Sequence, residues 1–325
     1  MKRAILFLQL GGPENLSDVR GFLYRLFSDP EVIRVKSSIL RKFIAVSIAA
    51  TRAGTSRKMY EKIGGGSPIL RLTDGQSRGV EALLRGEARE VVVRTAMTCS
   101  RPLVEEVVEG LAKEGFARFL AFPLYPQYSL TTTKGALDRA REAVASSAPG
   151  ARLFEIGSFP EHPGFLAAHA DQIRAGLDSF PDRAPGATLV LFSAHSIPKK
   201  LVEAEGDPYR SEIERTCAGI SRLLGPAVRT TLAYQSKLGP VEWIGPSTAD
   251  VIPELGRRGE TQVLVVPVAF VTDHIETLFE IDQLFAGAAR EAGIAHFRRT
   301  PGLNSHPMFL NALKDLALEA EGFWE

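Results

Sequence analysis

The chain has 325 residues, the length of about two ordinary domains. Hydrophobic residues make up 45% and charged residues 24%, a composition typical of a globular protein with buried cores rather than a disordered chain. With 39 basic and 38 acidic side chains the formal net charge is +1, which argues against nucleic acid as the main partner, because phosphate binding usually needs a surplus of cations.

The cysteine content and the amino-terminal residues bear on location. Cys99 and Cys217 are the only cysteines, too few for a four-thiolate iron–sulfur cluster, so no such cofactor is expected and a reducing cytoplasm is favoured. The apolar run at 4–10 is short and lacks the cleavage site of a signal peptide, so it predicts a buried strand. No run of about 18 or more apolar residues predicts a membrane-spanning helix.

Short apolar runs alternate with helical patterns, which predicts an α/β fold with parallel sheets. The runs are almost continuously apolar, as expected of strands covered on both faces. The predicted strands are 4–10, 90–97, 118–123, 151–156, 188–193, 229–235 and 262–270. The predicted helices lie between 17 and 30 and at 102–114, 164–177, 211–223 and 306–319.

The first predicted helix carries one apolar stripe at helical spacing. The stripe consists of Val19, Phe22, Leu23, Leu26 and Phe27. Ser17 is the expected N-cap, and Pro30 is expected to end the helix.

A stretch at 157–164 that bears proline and glycine predicts a domain boundary. It gives an amino-terminal domain at 1–160 and a carboxyl-terminal domain at 161–325. The last helix, 306–319, is expected to pack back on the amino-terminal domain. No internal repeat or low-complexity tract is visible.

The segment 39–46 is apolar apart from Arg41 and Lys42. It fits peripheral contact with a membrane surface. It also fits an amphipathic helix packed on its own domain, and we favour that second interpretation.

His195 is the strongest single candidate for chemistry. It lies where the apolar strand at 188–193 ends and the chain turns. Ligands of open α/β sheets bind beyond the carboxyl ends of strands, and a histidine there can exchange a proton near neutral pH or ligate a metal. The alternative is a structural histidine that is hydrogen-bonded within the turn.

A second group, Asp273, His274, Glu276 and Glu280, follows the last predicted strand. Asp273 and Glu276 have the spacing of a helix capping box, which would explain both without a function. Glu276 and Glu280 are four residues apart and share one helix face, where like charges repel by roughly 0.2–0.5 kcal/mol. A cation or a shared proton would remove that repulsion, so metal entry, proton relay and a solvated acidic face all remain open.

Two loops complete the candidates. The run Gly64-Gly65-Gly66 permits close backbone approach to a ligand but lacks the lysine and spacing of a phosphate loop, and no dinucleotide fingerprint follows the first strand. A nucleotide-binding enzyme is therefore disfavoured. The loop from Tyr125 to Ser129 offers rings and hydroxyls that suit a flat aromatic ligand with carboxylates, or simply an ordered turn.

Several runs, taken in order, resemble the ferrochelatase family over nearly the whole chain. They are Leu10-Gly11-Gly12-Pro13-Glu14, Gly64-Gly65-Gly66-Ser67-Pro68-Ile69, Tyr125-Pro126-Gln127-Tyr128-Ser129, Ser193-Ala194-His195-Ser196-Ile197-Pro198, Gly206-Asp207-Pro208-Tyr209, Tyr234-Gln235-Ser236-Lys237-Leu238-Gly239-Pro240 with Trp243, and Asp273-His274-Ile275-Glu276-Thr277-Leu278.

The resemblance implies two Rossmann-like, chelatase-type domains with parallel sheets and a porphyrin cleft between them. It implies insertion of Fe(II), which is a substrate and not a cofactor, into protoporphyrin IX or coproporphyrin III, with release of the two inner protons. His195 and Glu276 would be catalytic and would face each other across the macrocycle. His195, Glu276 and Glu280 would meet the metal, with Asp273 and His274 supporting Glu276.

The pocket wall follows from the same resemblance. Trp243 and Leu10 would hold the ring in a bent shape. Lys62, Tyr128 and Ser129 are the candidates for the porphyrin propionates. Oligomeric state and peripheral membrane contact of a cytoplasmic enzyme are left open.

Two other functions compete. One is a chelatase for another tetrapyrrole or metal, such as cobalt into sirohydrochlorin, although those relatives usually carry paired histidines at the metal. The other is a non-catalytic porphyrin carrier on the same fold.

Overall fold

The computed structural model describes residues 1–87, 89–237 and 241–325. The chain forms two compact units. Domain 1 consists of Met1–Ser158 together with Leu313–Glu325, and domain 2 of Phe159–Ala312. Each contains one four-stranded parallel sheet, so the predicted α/β class with parallel sheets is confirmed.

The strands are β1 (Lys2–Gln9), β2 (Val92–Met97), β3 (Phe116–Pro123), β4 (Arg152–Glu155), β5 (Leu189–His195), β6 (Arg229–Gln235), β7 (Gln262–Pro267) and β8 (His296–Arg299). The helices are α1 (Val19–Ser28), α2 (Ser38–Glu61), α3 (Ile69–Gly86), α4 (Val104–Lys113), α5 (Gly135–Ser147), α6 (Pro163–Asp178), α7 (Lys199–Glu205), α8 (Tyr209–Leu224), α9 (Thr248–Arg257), α10 (Ala286–Glu291) and α11 (Pro307–Leu318). Two π-helical segments, Leu130–Lys134 and Glu276–Phe285, lead into α5 and α10.

Apolar sequence accounts for the central strands. In β1, the five residues from Ala4 to Leu8 are fully buried, as expected of a parallel strand covered on both faces. Burial of each large side chain contributes about 1.5–3 kcal/mol to stability. β8 was not predicted because its sequence, His-Phe-Arg-Arg, is polar and short, and only pairing with β7 makes it a strand.

α1 confirms the predicted apolar face but not the predicted cap. Val19, Phe22, Leu23 and Phe27 are buried. The N-cap position belongs to Asp18, whose side chain makes no capping bond, while the Ser17 hydroxyl bonds the Asn15 side chain instead. The expectation that Ser17 caps the helix was therefore wrong.

The two sheets repeat one design that the sequence does not show. The strand orders are β2-β1-β3-β4 and β6-β5-β7-β8, so the first strand of each domain lies between its second and third. After the second strand, Met97 N donates to Pro102 O and Tyr234 N donates to Pro246 O, each at 2.8 Å. After the third strand, each domain has one of the π-helical segments.

The glycine run serves the chain's own packing. Gly64 and Gly65 have φ of 102° and 92°, which favours glycine. A Cβ on Gly66 would lie 2.0 Å from Glu14 O, so only glycine lets this loop pack on the loop after β1. These contacts explain the glycines without a ligand.

α2 exposes large apolar side chains. Ile39 and Phe43 are 81% and 73% exposed, while the helix buries the small residues Ala45, Ala49 and Ala53. The favoured expectation that segment 39–46 packs its apolar face on its own domain was wrong. Among the residues that the structure describes, no helix has the length and apolar character needed to cross a bilayer.

The carboxyl-terminal tail is tied to the sheet of domain 1. Arg3 donates to the carbonyls of Phe323 and Trp324, and Arg118 donates to those of Gly322 and Phe323. Arg118 is buried, so its charge depends on these acceptors.

Candidate active site

The site lies at the carboxyl edge of the sheet in domain 2. His195 is the last residue of β5 and Gln235 the last residue of β6. The chain leaving β7 turns and begins its π-helical segment at Glu276. Because parallel strands present their carboxyl ends at one edge, three distant stretches of sequence meet here.

His195 and Glu276 form a direct pair. Nδ1 of His195 lies 2.8 Å from Oε2 of Glu276. The Tyr209 hydroxyl donates to the backbone carbonyl of His195 at 2.9 Å and so fixes the turn that carries the ring. With Nδ1 turned to the carboxylate, the nitrogen that can face a ligand is Nε2.

This contact corrects the expected geometry. The resemblance implied that His195 and Glu276 face each other across a macrocycle, with a gap between them. At 2.8 Å no ring can lie between the two side chains. A flat ligand would therefore have to lie beside the pair and not between its two members.

Glu276 and Glu280 are joined by one hydroxyl. Ser236 Oγ lies 2.8 Å from Glu276 Oε2 and 2.5 Å from Glu280 Oε2. The adjacent Gln235 amide lies 3.4 Å from Glu280 Oε2, and its Oε1 accepts from Ser193 Oγ at 2.7 Å. The acidic face is therefore organised by neutral donors and is not simply solvated.

The charges of the three titratable groups are interdependent. Burial opposes the charged form of His195, but the charge and hydrogen bond of Glu276 outweigh it and raise the pKa of His195 above its usual range. Burial also opposes ionisation of Glu276, yet His195 and His274 hold the pKa of this carboxyl well below its usual range. Burial and the charge of Glu276 raise the pKa of Glu280 to about 7.

Asp273 does not form the predicted capping box. Its carboxylate accepts hydrogen bonds from Arg299 at 2.8 Å, Asn304 at 2.8 Å, Thr277 at 2.9 Å and the Gly302 amide at 3.2 Å. Arg299 and the other donors hold the pKa of Asp273 below its usual range despite burial. The capping prediction was wrong because side chains from β8 and the loop after it satisfy Asp273 and leave Glu276 to bind His195.

His274 lies beside Glu276, and Trp243 is joined to the turn that follows His195. His274 Nε2 is 3.7 Å from Glu276 Oε1, and its Nδ1 is 3.1 Å from Thr272 O. Trp243 is half-buried and pairs through its backbone with Pro198, in the turn that follows His195. Leu238, Gly239 and Pro240 of the same sequence run lie outside the described residues.

The remaining candidates belong to domain 1. Leu10 is half-buried at the carboxyl end of β1, and Lys62 is exposed at the end of α2. Tyr128 is half-buried in the loop after β3. Ser129 is buried, and its hydroxyl accepts from Thr131 N at 3.2 Å, which caps a π-helical segment.

The part of the chain that the structure describes contains no closed metal cage. Within residues 1–87, 89–237 and 241–325, no three histidine, cysteine, aspartate or glutamate side chains are grouped so that they could hold a metal ion. Cys99 and Cys217 are both buried free thiols. The arrangement suits proton transfer and brief contact with a cation better than tight metal binding.

Several residues that build the site were not singled out by sequence reasoning. Gln235, Ser236 and Tyr209 lie inside runs that carried the family resemblance, so the signal was present although no role was assigned. Arg299 had no signal, because it acts from a strand that the sequence did not predict.

The two domains with parallel sheets have the fold of the chelatases, as a solved structure shows. The solved SirB from Bacillus subtilis with Fe³⁺ superposes with a TM-score of 0.59 over 99% of this chain and 96% of SirB. At 16% identity this likeness shows the fold alone. It confirms the prediction of chelatase-type domains.

Sequence comparison names the family. The ferrochelatase profile matches residues 2–321. A ferrochelatase from a Cyanothece species is 43% identical over 319 residues, which are 97% of this chain and 82% of the relative. One from a Synechococcus species is 44% identical over 314 residues, which are 96% of this chain and 92% of the relative. The chain therefore belongs to the ferrochelatase family, the lyases that insert ferrous iron into a porphyrin in haem biosynthesis.

This finding confirms the family, the enzyme class and the function that the sequence runs implied. A chelatase for another tetrapyrrole is not favoured, because the ferrochelatases match at 43–44% identity over nearly the whole chain.

Proposed function

We propose that the His195–Glu276 pair takes one inner proton of the porphyrin while Fe(II) enters the ring. The observation that supports this most strongly is the 2.8 Å contact between His195 Nδ1 and Glu276 Oε2. A carboxylate on Nδ1 orients the imidazole and stabilises the imidazolium that forms when Nε2 accepts a proton. Each N–H bond that breaks on the ring gives its electron pair to the pyrrole nitrogen, which then binds the metal.

Glu280 has the second role in the proposal. Its carboxyl titrates near neutrality and touches the same hydroxyl as Glu276, so it suits either delivery of Fe(II) or receipt of the second proton. A substrate ion must leave for the porphyrin nitrogens. The absence of a closed cage among the described residues is therefore in keeping with transit. The proposal includes no resident cofactor.

Binding of the porphyrin is assigned to the apolar and polar side chains that the family resemblance indicates. Leu10 and Trp243 provide apolar surface against the ring, and binding energy there would bend it and expose its lone pairs. Lys62, Tyr128 and Ser129 are the proposed contacts for carboxylates at the ring edge. Protoporphyrin IX and coproporphyrin III differ in the number of those carboxylates, so initial rates on both identify the preferred substrate.

Peripheral membrane contact is a further part of the proposal. Ile39, Leu40, Phe43 and Val46 are exposed on α2, and Lys42 lies among them. A helix with this pattern lies in the interface of an anionic bilayer. Co-sedimentation with anionic vesicles tests it, because Ile39→Ser with Phe43→Ser should abolish binding while turnover on free porphyrin is retained.

The decisive test of the enzymatic proposal is His195→Ala. We expect insertion of iron, or of zinc read by porphyrin fluorescence, to fall by about 10²–10⁴-fold, the contribution of one general base. Porphyrin binding, measured by fluorescence quenching, should persist.

His296→Ala is the matched control, because His296 lies at the amino end of β8, away from the carboxyl edge. It should retain full activity. Unchanged turnover in His195→Ala would refute the assignment of His195, and porphyrin binding with no metal insertion by the wild-type protein would favour a carrier.

A further inference from the structure

Ser236 combines two features that neither secondary structure nor core packing requires. It follows β6 directly, and its backbone φ is 66°, in the left-handed region that side chains other than glycine, asparagine and aspartate rarely adopt. Such conformations persist where surrounding structure enforces them, and they concentrate at functional sites. A glycine would adopt this conformation more easily, so the serine side chain itself needs an explanation.

The hydroxyl provides that explanation through its contacts. Ser236 Oγ lies within hydrogen-bond distance of one oxygen of Glu276 and one of Glu280, at 2.8 and 2.5 Å. The Glu276 oxygen is the same one that meets His195. The Ser236 hydroxyl thus contacts both Glu276 and Glu280, and on Glu276 it contacts the oxygen that is hydrogen-bonded to His195.

We propose that Ser236 is a positioning residue for metal insertion, and that its hydroxyl holds the carboxylates of Glu276 and Glu280 side by side for an incoming divalent cation. Two carboxylates this close repel each other unless a donor or a cation lies between them. A hydroxyl is neutral and can act as a donor or as an acceptor. It can therefore donate its proton to a carboxylate before the ion arrives and turn its oxygen lone pair toward the ion afterwards.

The neighbouring residue makes the hydroxyl's position rigid. Gln235 is buried, and its amide nitrogen lies 3.3 Å from the backbone carbonyl of Glu276. Its amide oxygen accepts from Ser193 Oγ, which lies 3.1 Å from Thr248 Oγ1. This buried network anchors the end of β6, so the left-handed turn at Ser236 is held from the β6 side.

The inference rests on the proposed function, because it assumes that Glu276 and Glu280 meet the metal. Its test separates the apparent KM for metal from that for porphyrin. Ser236→Ala and Ser236→Gly both remove the hydroxyl, but glycine also suits the left-handed backbone. Ser221→Ala is the matched control, since Ser221 Oγ bonds Thr230 Oγ1 at 3.2 Å and touches neither carboxylate.

We expect both Ser236 variants to raise the KM for Fe(II) or Zn(II) about tenfold, the scale of one hydrogen bond to a charged group. The KM for porphyrin should stay unchanged, and Ser221→Ala should match the wild type. Thermal unfolding of Ser236→Gly should occur at the same or a higher temperature than that of the wild type.

Other outcomes overturn the inference. An unchanged metal KM in both variants removes any role for the hydroxyl. A defect in the alanine variant that glycine restores assigns the residue to backbone conformation alone. Either result leaves the proposed function intact as long as His195→Ala is inactive, whereas an active His195→Ala defeats the proposed function itself.

Discussion

The carboxyl edges of the two sheets share a backbone design and differ in chemistry. In domain 1 the first strand ends at Gln9, just before Leu10. Ser100, after the second strand, accepts from the amide of Gly12 at 3.1 Å. In domain 2 the first strand ends at His195, and Ser236, after the second strand, contacts two carboxylates. One serine therefore stabilises a loop and the other a reactive pair.

The π-helical segments repeat the contrast. The segment in domain 1, Leu130–Lys134, carries three threonines behind the capping Ser129. The segment in domain 2, Glu276–Phe285, carries Glu276 and Glu280. The same backbone segment thus carries hydroxyls in domain 1 and titratable acids in domain 2. The backbone fold sets the positions, and the side chains at those positions determine the chemistry. We expect changes in domain 2 to affect turnover and changes in domain 1 to affect porphyrin affinity.

Among substitutions of the acidic and basic side chains around His195, the largest effect is expected from Glu276→Gln. Loss of the carboxylate leaves the imidazolium of His195 without its counter-charge, so turnover should fall roughly a hundredfold. Glu276 raises the pKa of His195, and a base works only above its pKa, so the acid limb of the rate profile should move to lower pH in the variant.

Initial rates of zinc insertion over a range of pH measure both effects. Glu242→Gln is the control, because Glu242 is exposed in the same domain and its carboxylate lies 4.0 Å from Lys199 Nζ. An acid limb that stays in place would show that Glu276 does not set the basicity of His195.

A smaller effect is expected from Glu280→Gln, on stability as well as on metal affinity. The pKa of Glu280 is raised to about 7, so the folded state holds the proton more tightly than the unfolded state. Its contribution to stability is full below the ordinary glutamate pKa of about 4.3 and is lost as the pH rises through about 7.

Glutamine cannot ionise, so this loss should disappear from the variant. Thermal unfolding of the metal-free protein at a series of pH values tests the sign, with the exposed Glu203 changed to glutamine as control. If the unfolding temperatures of Glu280→Gln and of the wild type changed with pH in the same way, the predicted loss of stability would be wrong. The metal KM of Glu280→Gln should also rise.

The smallest effect is expected from Lys62→Ala in domain 1. An exposed charge contributes up to about 1 kcal/mol to an ionic contact, so the KM for porphyrin should rise about fivefold at most, with kcat unchanged. Lys58→Ala, one turn earlier on α2, is the control. A fall in kcat for Lys62→Ala would contradict the expectation that changes in domain 1 affect porphyrin affinity and not turnover.

Prediction from sequence succeeded where a local pattern decides the structure. Continuous apolar runs located seven strands, and the position of His195 at a strand end followed from the run before it. It failed where distant residues decide. β8 becomes a strand only by pairing with β7, and Asp273 is satisfied by Arg299, 26 residues away.

The site shows the same limit. His195, Glu276 and Glu280 were identified as a group. Residue spacing, however, does not encode how close the side chains of two distant segments come to each other. The direct contact of His195 with Glu276 therefore replaced the expected gap. The π-helical hydrogen-bond register was also invisible, because its residues are compatible with an ordinary helix.

The tail that Arg3 and Arg118 hold has a consequence for synthesis. Domain 2 is one continuous stretch, 159–312. Domain 1 also needs residues 313–325, whose backbone carbonyls accept hydrogen bonds from Arg3 and Arg118. Domains usually fold in the order in which they leave the ribosome. Here the domain whose synthesis begins first is completed only after residues 313–325 have emerged, and until then the buried Arg118 lacks these backbone acceptors.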